Sequence, residues 1–159
     1  MEAANALALK SLLETQPVAA LATLHNAEPA VSMVPFALLP ASTSFVIHVS
    51  QLASHTNDML ANPAVALLLT ASLESADSPL ALPRAAIKGR ARPCAPGSPA
   101  YAAARGAYLA KLPQSEELFS FSDFSLFLIE ASSVRYVAGF GSALSLGAAQ
   151  LAAIMGARA

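Results

Sequence analysis

The chain has 159 residues, of which 55% are hydrophobic and 12% charged, and its formal net charge is -1. This length suits one domain with its own core, and the charge argues against a general nucleic-acid binder, which needs a basic excess to neutralise phosphates. A monomer with so few charges would expose much apolar surface, so we expect a symmetric homodimer.

The first third of the chain predicts one helix and three short strands. Residues 3–15 place leucines at helical spacing, and Pro17 ends this helix. Strands are predicted at 18–24, 31–38 and 44–49, the first two joined by a turn at 25–28. The uncharged stretch 29–47 is broken by three prolines and diluted by hydroxyl residues. It therefore predicts strands and a turn, with no membrane span.

The remainder predicts further strands separated by short helices. The predicted elements are a helix from Ser54 to about Leu60, a buried strand at 65–70, a polar loop at 74–79, a strand at 84–92, a helix from 98 or 99 to 112, a helical turn at 115–118, strands at 124–131 and 134–138, a tight turn at 139–141 and a helix at 147–155. Residues 1–159 contain no repeat and no long linker. Six or seven short antiparallel strands with few helices predict a single mainly β (α+β) barrel domain.

The sequence also bears on compartment and on common catalytic motifs. Cys94 is the only cysteine, and Met1-Glu2 opens no secretory signal, so we expect a reducing, cytoplasmic setting. His25, His48 and His55 are scattered, and no metal motif, phosphate-binding Gly-rich fingerprint or nucleophile elbow occurs. His48 is expected to be a satisfied core residue, and Asp123 to have a turn role.

Residues 50–57 form the first candidate binding segment. Ser50, Ser54, His55 and Thr56 lie between a strand end and a helix start, where hydroxyls and free backbone N–H groups gather. The helix dipole adds partial positive charge, so the segment would suit a phosphate. An ordinary capped helix, with Ser54 or Thr56 as the cap, explains the same residues.

The second candidate is the strand at 84–92. Side chains alternate along a strand, so Arg84, Lys88, Arg90 and Arg92 share one face. Lys10 is the only lysine or arginine before Arg84, so a phosphate held by the first half needs countercharge from this strand or from protonated His55. A solvated strand face is the alternative.

The third candidate is the segment 137–143. Two glycines flank Phe140 and would let the backbone approach a flat ligand closely. A hairpin turn with a core phenylalanine explains the pattern equally well.

Taken in order, these segments resemble the pyridoxamine 5′-phosphate oxidase-like superfamily, especially its haem-utilisation (HugZ-like) branch. The resembling segments are 31–36, 46–57, Asn62-Pro63, 82–84 with Gly89, 121–124 and 138–143, which cover most of the chain. The resemblance implies an FMN-binding split β-barrel, with flavin in clefts between the two subunits of a homodimer.

The resemblance also implies roles for individual residues. The backbone of Ser32, Met33, Val34 and Pro35 would run along the flavin, and the segment from Val49 and Ser50 through Ser54, His55 and Thr56 would hold its phosphate. Arg84 stands where the oxidases carry a flavin-contacting glutamine. Phe140 would pack near the isoalloxazine, and Tyr101 and Arg105 keep the spacing of two substrate-phosphate residues.

Several positions depart from the oxidases. His55 and Thr56 replace an Arg-Lys pair, Ala37 replaces the substrate lysine, and no Arg-x-His follows Gly139. These departures argue against pyridoxine-phosphate oxidation and leave the catalytic residues and the substrate open. The primary hypothesis is an FMN-dependent oxidoreductase. The alternatives are a haem-binding or haem-degrading protein, in which Arg105 faces a propionate, and a non-enzymatic flavin-binding or scaffold module.

Overall fold

The computed structural model describes residues 2–156, which form one antiparallel sheet and four α-helices. The helices are α1 (Ala3–Thr15), α2 (Ser54–Ala61), α3 (Pro99–Lys111) and α4 (Ala148–Met155). The strands are β1 (Val18–His25), β2 (Glu28–Pro35), β3 (Ala37–Leu38), β4 (Ser44–Ser50), β5 (Ala64–Thr70), β6 (Arg84–Pro93), β7 (Phe124–Gly139) and β8 (Ser142–Gly147). Three 3-10 segments, Leu73–Ser75, Pro79–Ala81 and Pro113–Ser120, complete the chain.

The eight strands follow the order β2-β1-β5-β6-β7-β4-β3, with β8 paired to β7. The sheet curls around a core that includes Leu21, Phe36, Ile47, Leu67 and Ile129. This arrangement confirms the predicted split-barrel α+β fold. The predicted strands at 124–131 and 134–138 are one continuous strand, β7. The predicted strand at 31–38 is divided at Phe36 into the end of β2 and the short strand β3, and the sequence patterns missed β8.

Strand β5 corrects one expectation. Its unbroken apolar sequence predicted burial on both faces, but burial alternates along it, and Leu68 is 43% exposed. One face of β5 packs on the core while the other opens outward, because in this subunit no further layer of the described chain covers it. On β6 the prediction is confirmed, since Lys88, Arg90 and Arg92 are exposed while Ala85, Ile87 and Ala91 are buried.

The β1–β2 hairpin has the predicted turn and leaves β2 at the edge of the sheet. Asn26 and Ala27 have φ of 51° and 66°, as a two-residue type I′ turn requires. His25 pairs with Glu28 across the turn, and the register runs on to Val18 opposite Pro35. Pairing with β1 therefore occupies one side of β2 only.

Helices close the open parts of the barrel. Helix α2 packs against β1, β2 and β6, and α3 packs against β3, β4 and β7. Helices α1 and α4 contact each other and also β7. No helix within residues 2–156 has the length and hydropathy needed to cross a membrane.

Candidate functional site

The candidate site begins with a pocket of about 500 Å³ where the ends of β5, β6, β7 and β8 meet. Its wall is mostly apolar and includes Leu68, Leu80 and Val137. Phe140, in the β7–β8 turn, also lines it and is 83% exposed. Phe140 is therefore no core residue of this subunit, and its ring is available to a ligand or to a second chain.

Two arginines bring positive charge to this pocket. Arg84 lies opposite Val137, and Arg135 lies two residues before Val137 on β7. Diagonal neighbours of this kind lie roughly 7–8 Å apart on one face of a sheet. The Arg84 guanidinium donates to the carbonyls of Leu80, at 3.3 Å, and Leu82, at 3.1 Å, which hold it at the pocket wall.

Arg135 was missed by the sequence analysis. It is an isolated cation in the last long strand, between the buried residues Val134 and Tyr136. The alternation of β7 could have indicated that it points away from the core. Only the pairing of β6 with β7 places it beside Arg84.

The predicted phosphate segment lies at the end of β4, where several of its hydroxyls already have partners. The Ser50 hydroxyl donates to the Asp123 carboxylate at 2.7 Å and accepts from the Leu52 N–H at 3.1 Å. The Thr56 hydroxyl donates to the Ser50 carbonyl at 2.6 Å, and only 1% of Thr56 is exposed. These two hydroxyls stabilise the loop, and Asp123 adds a carboxylate beside it.

The start of α2 nevertheless offers backbone donors. Its N-cap is Ala53, whose methyl group cannot accept a hydrogen bond, so neither Ser54 nor Thr56 is the cap. The first N–H groups of an α-helix have no intrahelical acceptor, and Ser54 is exposed there. Burial lowers the pKa of His55, while the charge of Asp58 acts in the opposite direction. A neutral His55 would leave the helix terminus without a fixed cation.

Within one subunit, the pocket and the start of α2 lie at opposite ends of the barrel. Ser50 pairs with Phe124 at the beginning of β7, whereas Arg84 pairs with Val137 near its end. Arg84 and Arg92 are separated by eight residue steps of β6, a length of roughly 26 Å. Ser54 and Arg84 therefore do not meet in a single chain.

The other predicted flavin contacts lie on β2 and β4. Val34 and Val49 have their side chains in the core, so only their backbones are available to a ligand. Met33 and Pro35 are exposed on the edge strand. Ser32 is half-buried, and its hydroxyl is buried without a hydrogen-bond partner among residues 2–156.

Tyr101 and Arg105 share α3, one turn apart, and both are half-buried. The Arg105 guanidinium lies 5.1 Å from the centre of the Phe119 ring, which in turn stacks on His48 at 3.9 Å. His48 is buried as expected, and burial lowers its pKa to about 4. However, its Nδ1 has no hydrogen-bond partner within the described chain, so it is not the satisfied residue that was predicted.

A polar cluster beneath the hairpin was also missed. Asp58, which is 5% exposed, accepts from the Thr23 hydroxyl at 2.9 Å and contacts His25 Nδ1 at 2.7 Å. The hydrogen bond from His25 is the main cause that lowers the pKa of Asp58, so the carboxylate stays ionised. No local pattern in the sequence indicates this cluster, because Asp58 is 33 and 35 residues from its two partners.

The fold and this pocket define a split-barrel protein with a partly apolar pocket that carries two arginines. The family model described as pyridoxamine 5′-phosphate oxidase matches residues 7–138. The chain belongs to this family.

Two of the similar proteins carry names that mention haem. The chain is 39% identical over 119 residues to the non-canonical heme oxygenase HOZ, chloroplastic, of Arabidopsis thaliana, a match that covers 75% of this chain and 35% of the relative. A heme binding protein from Mycobacterium smegmatis matches with a TM-score of 0.85 and 27% identity over 96% of this chain and 62% of that one. Campylobacter jejuni ChuZ, at 21% identity, shares the fold with a TM-score of 0.83 over 94% of this chain and 62% of that one. The chain therefore spans about a third of the Arabidopsis protein and under two thirds of the two bacterial ones.

Proposed function

We propose that this protein is a haem-binding member of the pyridoxamine 5′-phosphate oxidase family, and that the pocket around Arg84 and Arg135 holds the haem. The observation that carries the proposal is the pair of guanidinium groups on the rim of an apolar pocket. Haem is a flat apolar ring with two carboxylates on one side, and arginine is the side chain best suited to bind carboxylates. The names of the Arabidopsis and mycobacterial relatives support the same ligand.

The residues of the pocket suit this group in charge and in apolar character, although none of them has a side chain that ligates haem iron. A volume of about 500 Å³ lies within the usual range for small-molecule and cofactor sites. Arg84 and Arg135 would pair with the propionates, while Phe140 and Leu68 would pack on the ring. Bound haem would supply iron for oxygen or electron chemistry, and the protein would supply orientation, charge and exclusion of water.

FMN is the second candidate, and the start of α2 is the observation that favours it. Backbone N–H groups at a helix N-terminus are a general anion site, and Ser54, the first residue of α2, is exposed. FMN would supply hydride or electron chemistry, which would make the protein an FMN-dependent oxidoreductase. Because Asp123 lies beside this segment and burial disfavours a charged His55, an FMN phosphate would need a cation from elsewhere.

A homodimer would bring a cation to the FMN phosphate and would complete either candidate site. Arg84 and the start of α2 are far apart in one subunit, so they can share a ligand only if the ligand lies between two subunits. Strands β2 and β5 flank β1 and carry exposed apolar side chains, Val31, Met33 and Leu68, which offer a surface that a second copy would cover. Sedimentation of the wild type and of Val31→Glu tests this step. A wild-type monomer at micromolar concentration would contradict the dimer.

Titration with haemin, followed by the Soret band, tests the primary proposal. We expect a shifted band for the wild type and at least about a tenfold weaker affinity for Arg84→Gln and for Arg135→Gln, because each loses a charged hydrogen bond. Arg90→Gln is the matched control, since Arg90 is exposed on the same strand but does not line this pocket. No Soret shift, or equal affinity in the double Arg84→Gln/Arg135→Gln variant, would contradict haem binding there.

Quenching of FMN fluorescence tests the second candidate separately. Ser54→Asp places a carboxylate at the start of α2, where it favours the helix but repels a phosphate. FMN affinity should fall in this variant, while riboflavin, which has no phosphate, should bind equally to both proteins. Unchanged FMN affinity would remove the α2 segment from the site. A protein that binds neither FMN nor haemin would be the non-enzymatic scaffold.

A further inference from the structure

A second cavity, of about 520 Å³, lies between α1, α3, α4 and the segment that follows β3. Leu38, Leu39, Pro40 and Met155 make much of its wall apolar. None of its lining residues belongs to the pocket around Arg84. It is therefore separate from the proposed haem site.

One cation, Lys111, lies in the wall of this second cavity and is fixed by the fold. Its Nζ donates to the Gln16 carbonyl at 2.7 Å and lies 3.9 Å from the centre of the Phe36 ring. Among residues 2–156 no carboxylate oxygen comes within 4.0 Å of it. An ammonium group has three donors, so Lys111 keeps donor capacity for a ligand.

The charge of Lys111 is not fully compensated by its surroundings. Burial lowers its pKa to about 8, and the charge of Glu14 opposes this effect only in part. Glu14 also lines the cavity and forms a 3.9 Å ion pair with Lys10. A ligand that brought one negative charge would stabilise the Lys111 ammonium, whereas the second charge of a dianion would find no further cation among the lining residues and would add to the repulsion from Glu14.

Ser42 adds a polar group to an otherwise apolar part of the wall. Its Oγ accepts a hydrogen bond from the Ser44 N–H at 3.0 Å. A hydroxyl that accepts in this way can still donate its own hydrogen. The cavity thus offers one cation, one hydroxyl donor and a largely hydrocarbon wall.

We propose that this cavity binds a small monocarboxylate with an apolar body, and that Lys111 pairs with its carboxylate. The single cation selects one negative charge, and the wall of Leu38, Leu39, Pro40 and Met155 selects a hydrocarbon tail. Phosphate and other dianions are disfavoured by Glu14. The site is independent of haem or flavin binding.

Calorimetric titration with sodium octanoate, against 1-octanol as the neutral analogue, tests this assignment. We expect octanoate to bind with a Kd of about 1 mM or tighter and Lys111→Met to weaken it at least about tenfold, while octanol binding stays unchanged. Lys111→Arg should retain octanoate because it keeps the charge. Lys88→Met is the matched control, since Lys88 is exposed on β6 outside the lining and its loss should leave octanoate affinity unchanged.

Two further measurements keep the test decisive if Lys111→Met fails to fold. Ala107→Leu fills part of the cavity while the Lys111 charge stays in place, and it should also weaken octanoate. With ¹³C-methyl methionine, octanoate should shift the NMR signal of Met155 and leave that of the core residue Met59 unchanged.

Equal binding of octanol and octanoate, full octanoate binding by Lys111→Met, or a shift of the Met59 signal alone would each overturn the proposal. Haemin and FMN titrations in excess octanoate should be unaffected, so failure here is distinct from failure of the proposed function.

Discussion

Gly89 provides a direct test of how tightly β6 and β7 are paired. The strand register shifts between Lys88 and Gly89. A Cβ at Gly89 would lie 2.6 Å from the Glu130 carbonyl oxygen and 3.0 Å from Ile129 Cγ2. The oxygen belongs to the backbone of β7, so the contact cannot be relieved by turning a side chain. Gly89→Ala should therefore destabilise the protein by about 1–3 kcal/mol, the usual range for overpacking.

Thermal unfolding followed by calorimetry, at one fixed protein concentration, measures this effect. For a chain of this length each kcal/mol shifts Tm by about 2–4 °C, so Gly89→Ala should lower Tm by about 2–12 °C. Gly106→Ala is the matched control, because Gly106 lies in α3 and a Cβ there would meet nothing within 4 Å. Alanine favours a helix over glycine by about 0.5–1 kcal/mol, so this variant should raise Tm. Shifts of the same sign in both variants would refute the reasoning.

Three further stability predictions follow from single residues. Ala27→Gly should raise Tm by a few degrees in the same calorimetric assay, since Ala27 has a φ of 66° that glycine adopts without strain. Between pH 6.5 and about 4, His48 is protonated in the unfolded chain but stays neutral in the folded chain. The free energy of unfolding, measured with urea, should therefore fall as the pH drops through this window. The variant His48→Phe should lose this part of the pH dependence. An unchanged slope in the variant would assign the acid sensitivity elsewhere. Ser98→Ala should cost about 1 kcal/mol, measured by urea unfolding, because the Ser98 hydroxyl accepts from the Tyr101 N–H and caps α3.

Much of the fold could be predicted because local patterns agreed with the tertiary structure. Helix α1 begins and ends at the predicted residues, and α2 stops just before Asn62-Pro63 as proposed. The alternation of β6 was visible in its sequence and is confirmed. Strand β8 was missed because its sequence, from Ser142 to Gly147, is short and rich in small residues, and it pairs only with β7.

The candidate site could be predicted only in parts. The sequence predicts Arg84 as a binding residue from its charge, and Phe140 from the glycines that flank it. Both residues line one pocket. Arg135 joins them through a strand pairing that no local pattern reveals. The sequence predicts that Ser50 and Thr56 help to hold a phosphate, but in the structure their hydroxyls donate to the Asp123 carboxylate and to the Ser50 carbonyl. Hydrogen bonds between distant segments decide which polar groups remain available, and composition does not contain that information.

The geometry of the β1–β2 hairpin has a consequence for how this protein avoids uncontrolled association. With His25 and Glu28 closing the two-residue turn, alternate residues of β2 from Pro29 to Pro35 direct their backbone N–H positions away from β1. Two of these four positions are proline, which has no N–H to give. A strand added along this border would find donors only at Val31 and Met33. The β2 edge is thus poorly suited to pairing with a further strand, although it is unpaired within the described chain and partly hydrophobic.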